Sequence, residues 1–190
     1  MKAATLIAAK GLAYAVNIID SAPASATQWN EGYEFTCGQS VTISAEDREK
    51  YFVDMAELKR VVWSLRRIDT LGGIAEAREL LKHAVYTAEK SITAENDFVV
   101  KRLKSNIQDW EETFITEGVF VEVDFISESS TQHSGTYFKG QGVVDKYEDG
   151  RVFGRLHDGT PFMCFPCDVI ITGKVINKHL AETEKLNRLG

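Results

Sequence analysis

Cys164-Phe165-Pro166-Cys167 is the stretch of this 190-residue chain whose residue types and spacing come nearest to known side-chain chemistry. Two thiols at that spacing carry out disulfide exchange when a helix N-terminus or a cation lowers the pKa of the first. They form half of a zinc site when a second pair of ligands completes a tetrahedron. Here the residue that follows is Asp168, an anion that raises a neighbouring thiol's pKa, and no cation stands beside the pair. Cys37 is far away in sequence, and His157 and His179 would have to be delivered by the fold, so no full set of four ligands can be named. Cys164 and Cys167 are therefore read as small apolar side chains in the wall of a β structure, with metal binding or redox chemistry as the weaker alternative. No cofactor is expected.

The other candidate nucleophiles are weaker still. His133 shares a polar loop with Ser127, Ser129, Ser130, Thr131 and Ser134. A nucleophilic serine needs a held base, an orienting carboxylate and an oxyanion hole, which such a loop does not supply by itself. The chain contains no GxSxG, HExxH or P-loop pattern, and Gly140-Gln141-Gly142 reads as a bend between strands. The expectation is a protein that is not an enzyme.

The elements that must position these residues fall into a helical part and a β part. Residues 2–20 carry Leu6, Ala9, Ala13 and Val16 at helical spacing and predict one helix, with Gly11 as a local cost. Residues 21–43 predict a connection holding one short hairpin. Ser44 and Asp47 then open a run of three long antiparallel helices at about 45–69, 73–91 and 94–115. Their seams are Met55, Leu58, Val62, Leu65; then Ile74, Ala77, Leu81, Ala84, Ala88; then Val100, Leu103, Ile107, Trp110, Phe114. At Gly118 the hydrophobic period changes from 3.6 to 2, and Val119, Val121, Val123 and Phe125 alternate with Phe120, Glu122, Asp124 and Ile126. Asp149-Gly150 and Asp158-Gly159 are hairpin turn signals between strands at 142–147, 151–157 and 160–165. A one-turn break at Pro166, a short strand at 169–172 and a helix at 176–189 end the chain.

Residues 118–172 resemble a small SH3-like barrel of the Tudor or KOW kind. One strand and a long polar loop lead into GQGVVDKYEDGRVFGRLHDGTPFMCF, a break at PCD and a closing strand VII. The resemblance implies five strands with a 3₁₀ turn between the last two, and it transfers no functional residue. The expected fold class is α+β: an N-terminal antiparallel helical bundle (1–116), a five-stranded SH3-like β-barrel (117–174) and a C-terminal helix (175–190).

Composition narrows the function. A net charge of -6, from 28 acidic and 22 basic side chains mixed along the chain, provides no field that would draw in a polyanion. The odd cysteine count argues against a disulfide-stapled secreted scaffold and for reduced thiols in a cytoplasmic setting. Lys2, an apolar run and Ala24-Ser25-Ala26 imitate a secretory signal, but Lys10 interrupts the run, and the segment is expected to remain in place. No apolar run is long enough for a membrane span.

What remains is binding. Phe120, Tyr137, Phe138, Tyr147, Phe153 and Arg155 are the candidate partner-binding residues of the β part; an aromatic on the outer face of a small barrel either packs against the helical bundle or offers a partner its anchor. Lys59-Arg60 and Arg66-Arg67, with Arg102 and Lys104 further on, form a basic stripe in which Arg66 and Arg67 are the expected contacts. The expected function is non-catalytic protein–protein binding, suited to an accessory factor or a viral inhibitor of a host protein in the host cytoplasm. The alternatives are a nucleic-acid-binding module using the barrel and the basic stripe, and a thiol or zinc protein using Cys164 and Cys167. The long helices also offer a route to a homo-oligomer.

Overall fold

The computed structural model describes residues 1–32, 35–36, 44–91, 93–128 and 134–173. The fold is mixed helix and sheet, and it divides into two compact units between Thr113 and Phe114. Cys37, His133, His179, the expected strand residues Val41-Thr42-Ile43 and the expected helix at 175–190 lie outside the described residues. No single described helix is long and apolar enough to cross a membrane.

In the first unit the predicted N-terminal helix is two helices, α1 (Ala3–Lys10) and α2 (Leu12–Ser21), bent by 119° at Gly11. Gly11 has φ 89 and ψ 160, a conformation that only glycine adopts at little cost, so the residue is a corner. The bend folds the two apolar faces onto the same core. Ala3, Leu6 and Ile7 of α1 and Ala15 and Ile18 of α2 pack with Leu58, Val61, Val62 and Leu65 from a later helix.

The helix predicted at 45–69 is interrupted. The structure has α3 (Ala45–Tyr51), a strand and then α4 (Met55–Thr70). That strand, β3 (Phe52–Asp54), pairs antiparallel with β1 (Gln28–Asn30), which also pairs with β2 (Phe35–Thr36). Two local causes fit the break. Phe52 and Val53 are β-formers that become buried, Val53 opposite Trp29 in the ladder, and Asp54 caps the next helix by accepting the Glu57 amide at 2.8 Å. Ser44 caps α3 in the same way, accepting the Asp47 amide at 3.0 Å.

Gly72 and Gly73, both at positive φ, turn the chain into α5 (Ile74–Lys90), and α6 (Ala94–Phe114) follows. Arg60 and Ser64 of α4 meet Asp109 and Asn106 of α6, so these two helices run antiparallel, and Arg78 of α5 meets Glu111 of α6. The expected bundle is thinner than its seams suggest. Its own core is Ile68, Ala77 and Ile107, flanked by Leu71, Ile74, Leu81 and Trp110, while the main core of the unit lies among α1, α2, α4 and the small sheet. Ala77 is the only residue of α5 that is buried.

The second unit is a five-stranded antiparallel sheet of β4 (Phe120–Ile126), β5 (Tyr137–Glu148), β6 (Arg151–Leu156), β7 (Pro161–Cys164) and β8 (Val169–Ile171), in the order β7-β6-β5-β4-β8. Val121, Val123 and Phe125 face the core and Ile126 is exposed, as the alternation predicts. β5 is 12 residues long, pairing with β4 through its first part and with β6 through its last, with a register shift between Val144 and Lys146. Asp149 and Gly150 both take positive φ (51 and 71), whose twist suits a two-residue hairpin. At the next turn only Gly159 does, and the Asp158 carboxylate accepts the Thr160 amide at 2.9 Å. A 3₁₀ turn at Pro166–Asp168 separates β7 from β8. The expected closed barrel is not what the ladders form. β7 and β8 are the two edges of the sheet, and no pairing joins them among the described residues.

Candidate protein-binding groove

The expected β-part residues divide on burial. Phe138 is a correction: it is 6% exposed and stacks on Phe125 at 5.1 Å between ring centres, so it belongs to the core. Phe120 is half-buried, edge-on to His157 at 6.5 Å. Tyr147 and Phe153 are also half-buried, and the Lys146 ammonium lies 4.7 Å from the Phe153 ring centre. Arg155 is exposed and paired with Asp145 at 3.2 Å. Tyr137 is exposed and donates its hydroxyl to Asp124 at 2.7 Å, and Lys139 reaches the same carboxylate at 2.9 Å. Lys139 and Tyr137 hold the Asp124 carboxyl below its usual range, and Asp124 in turn pushes the Tyr137 phenol up. Tyr137, opposite Ile126, is separated along the ladder from Phe120 and Arg155, which stand in one row with Val143.

The cysteines separate as well. Cys164 is buried, and burial, followed by Asp168 and Cys167, pushes its thiol up to about 12. Cys167 is exposed, which corrects the expectation that both thiols line a wall. Asp168 instead fastens the 3₁₀ turn by accepting the Phe165 amide at 3.2 Å. Among the described residues, no group of three or more His, Cys, Asp or Glu side chains is placed to hold a metal.

Convergence occurs in the first unit, on the basic stripe. Arg60, Trp63 and Arg67 recur at spacings of three and four along α4 and share one face. On α6, Phe98 and Arg102 are four apart. The helices bring them together: the Arg102 guanidinium lies 4.2 Å from the ring centre of Trp63 and 5.7 Å from that of Phe98. The negative ring faces attract the cation, an interaction that does not use up the guanidinium's N–H donors. Trp63 and Phe98 are 42% and 59% exposed, and Leu80 and Val99 beside them are also exposed.

These residues line a two-lobed groove, each lobe about 380 Å³, with Trp63, Phe98, Arg102 and Asn106 common to both. Arg60 and Lys101 line one lobe and Arg67 the other, so among the described residues the lining carries four cations and no carboxylate. Two of the four have partners at its margins, Arg60 with Asp109 and Lys101 with Asp97. For Arg67 and Arg102 no carboxylate lies within ion-pairing distance among the described residues. Ser64 and Asn106 are buried members of the lining, Asp109 is buried beside them, and the Ser64 hydroxyl donates to Asp109 at 2.7 Å.

Of the sequence-derived stripe, then, Arg60, Arg67 and Arg102 come together. Arg66 is exposed on α4 outside the groove lining, and Lys104 turns to a separate depression beside Val85, Ala88 and Val100. Trp63 and Phe98 were not legible as site residues, although a signal existed: both are large aromatics lying off the apolar seams of their helices. Compared with known protein families, curated proteins and solved structures, the chain has no match.

Proposed function

We propose that this chain is a non-catalytic binding protein whose partner is another protein, engaged through the groove between α4 and α6. The observation that carries the reading is the Arg102 guanidinium, stacked on exposed Trp63 and lacking a carboxylate among the described residues. Aromatic and arginine side chains clustered in a depression are the composition of a protein-interface anchor. The adjoining exposure of Leu80, Phe98 and Val99 enlarges an apolar surface that a partner would remove from water.

In the same reading the second unit is an SH3-like sheet, open between β7 and β8 among the described residues, that serves as scaffold. Its support is the strand order, in which the first strand sits between the second and the fifth, and the 3₁₀ turn before the last strand. Thiol chemistry has less support, since Cys164 is buried and its thiol is pushed up to about 12.

Affinity capture with the full-length chain, run beside a Trp63→Ala/Phe98→Ala double variant and repeated after nuclease treatment, tests the proposal. A protein retained by the parent, lost by the variant and indifferent to nuclease is the expected result. Retention of nuclease-sensitive material only, or equal retention by both chains, would overturn it.

A further inference from the structure

We infer that the occupant of this groove is an acidic amphipathic helix of a partner protein, with carboxylates on Arg67 and Arg102 and an apolar stripe on Trp63 and Phe98. The inference rests on the protein-binding reading above and specifies the partner's chemistry.

Charge decides the sign of the partner. Among the described residues, four basic side chains and no acidic one line a groove on a chain of net charge -6, so the charge of the lining is opposite to that of the chain. Two of those cations are already paired, which leaves Arg67 and Arg102 without a carboxylate among the described residues. Two unpaired cations match two carboxylates. They are too few to hold a phosphodiester chain, whose affinity grows with the number of phosphates neutralised. A guanidinium whose carbon lies 4.2 Å from the Trp63 ring centre and 5.7 Å from that of Phe98 keeps its N–H donors for a carboxylate, which a guanidinium can take in bidentate fashion. A second copy of this chain fits poorly, because a two-fold interface over this groove would set the same cations against each other.

Backbone geometry decides the shape. The groove walls are helices whose amides are used internally, so no strand edge is offered to an extended peptide. A groove between antiparallel helices accepts a third helix with apolar residues at spacings of three and four. From Arg60 to Arg67 the floor runs about 10 Å at 1.5 Å per residue, which is two turns. Two lobes that share Arg102, Trp63 and Phe98 in their lining would take two successive anchor side chains.

The test is selection of a displayed library of helical peptides, with no fixed charge, on the full-length chain. An enriched peptide is then measured by fluorescence anisotropy on the parent and on Arg102→Gln, Arg67→Gln and Trp63→Ala, with circular dichroism to show that each variant is folded. We expect enriched sequences to carry Asp or Glu flanking apolar residues, at least tenfold weaker binding to Arg102→Gln, no rescue by Arg102→Lys, and a salt dependence corresponding to about two ion pairs. Peptides without acidic residues, or equal binding to Arg102→Gln, would overturn the inference; the protein-binding reading survives that result if Trp63→Ala still abolishes binding. No enrichment over beads without bait also overturns it and leaves the capture experiment to decide the wider reading. Binding of an oligothymidylate that quenches Trp63, with a salt slope steeper than two, would remove both.

Discussion

The hydroxyl of Ser64 on α4 donates to the carboxylate of Asp109 on α6 at 2.7 Å, and both side chains are buried. The same carboxylate accepts from Arg60, whose side chain is half-exposed, and Ser64 Oγ lies 3.1 Å from the side-chain amide of Asn106. A buried carboxylate is tolerated only with such partners. This polar seam therefore fixes how α4 and α6 lie against each other, and with it the distance between Trp63 and Arg102.

Removing Arg60 leaves the Asp109 charge with the Ser64 hydroxyl as its main compensation, whereas Asp109→Asn removes the charge and keeps an acceptor for Ser64. Arg60→Ala should cost about 2 kcal/mol, discounted for the exposure of the arginine, and Asp109→Asn about 1 kcal/mol. Urea denaturation of both variants checks the order. The reverse order would mean that Arg60 does not compensate the carboxylate.

Gly154→Ala should be among the costly single-methyl changes in the second unit. A Cβ there would meet Phe162 Cζ and the Val143 carbonyl oxygen, each at 2.5 Å, and neither a packed ring nor a ladder carbonyl can retreat freely. A loss of about 3 kcal/mol is expected for overpacking of this kind. A melting temperature equal to that of the parent would show that β5 and β6 are not this close.

Gly11→Ala tests the corner between α1 and α2. Its Cβ would meet nothing within 4 Å, so crowding is not the issue; the backbone at φ 89 and ψ 160 is. The strain should destabilise the first unit by about 2 kcal/mol, although alanine is the better helix former. Stabilisation on thermal melting would instead favour one continuous helix.

Cys167 should be alkylated by iodoacetamide at pH 8 in the native protein while Cys164 is spared until denaturant is added, as read peptide by peptide by mass spectrometry. The pH dependence follows from the same burial. With its folded pKa raised from 9.0 to about 12, Cys164 contributes stability that is fully present below pH 9 and is lost as pH rises towards 12, because the unfolded chain gives up its proton first. The slope is at most about 1.4 kcal/mol per pH unit. Cys164→Ala should flatten stability across this range, and an unchanged slope would count against the burial of the thiol.

Much of the fold was written in local pattern. The spans of α5 and α6, the alternation Val119 to Ile126, the Asp149-Gly150 turn and the break at Pro166 each depend on backbone preference and hydrophobic period within a few residues, and each is read directly from the sequence. The strand at Phe52–Asp54 was hidden because the apolar spacing around it also suits a helix, and only pairing with β1, more than 20 residues earlier, selects the extended form. Phe138 became core for a similar reason: its partner Phe125 stands across a sheet register that the sequence does not specify.

The site divides along the same line. Sequence alone determined that α4 would carry arginines on one face, that the chain would be acidic overall, and that Asp168 would raise the pKa of any neighbouring thiol. Tertiary structure alone decided that Arg102 would rest on Trp63, 39 positions away, and that Arg67 would join it while Arg66 stays outside. Helical spacing fixes which residues share a face, but the identity of the ring beneath a cation depends on how two helices are set against each other. In this molecule the buried contacts of Ser64, Asn106 and Asp109 determine that setting.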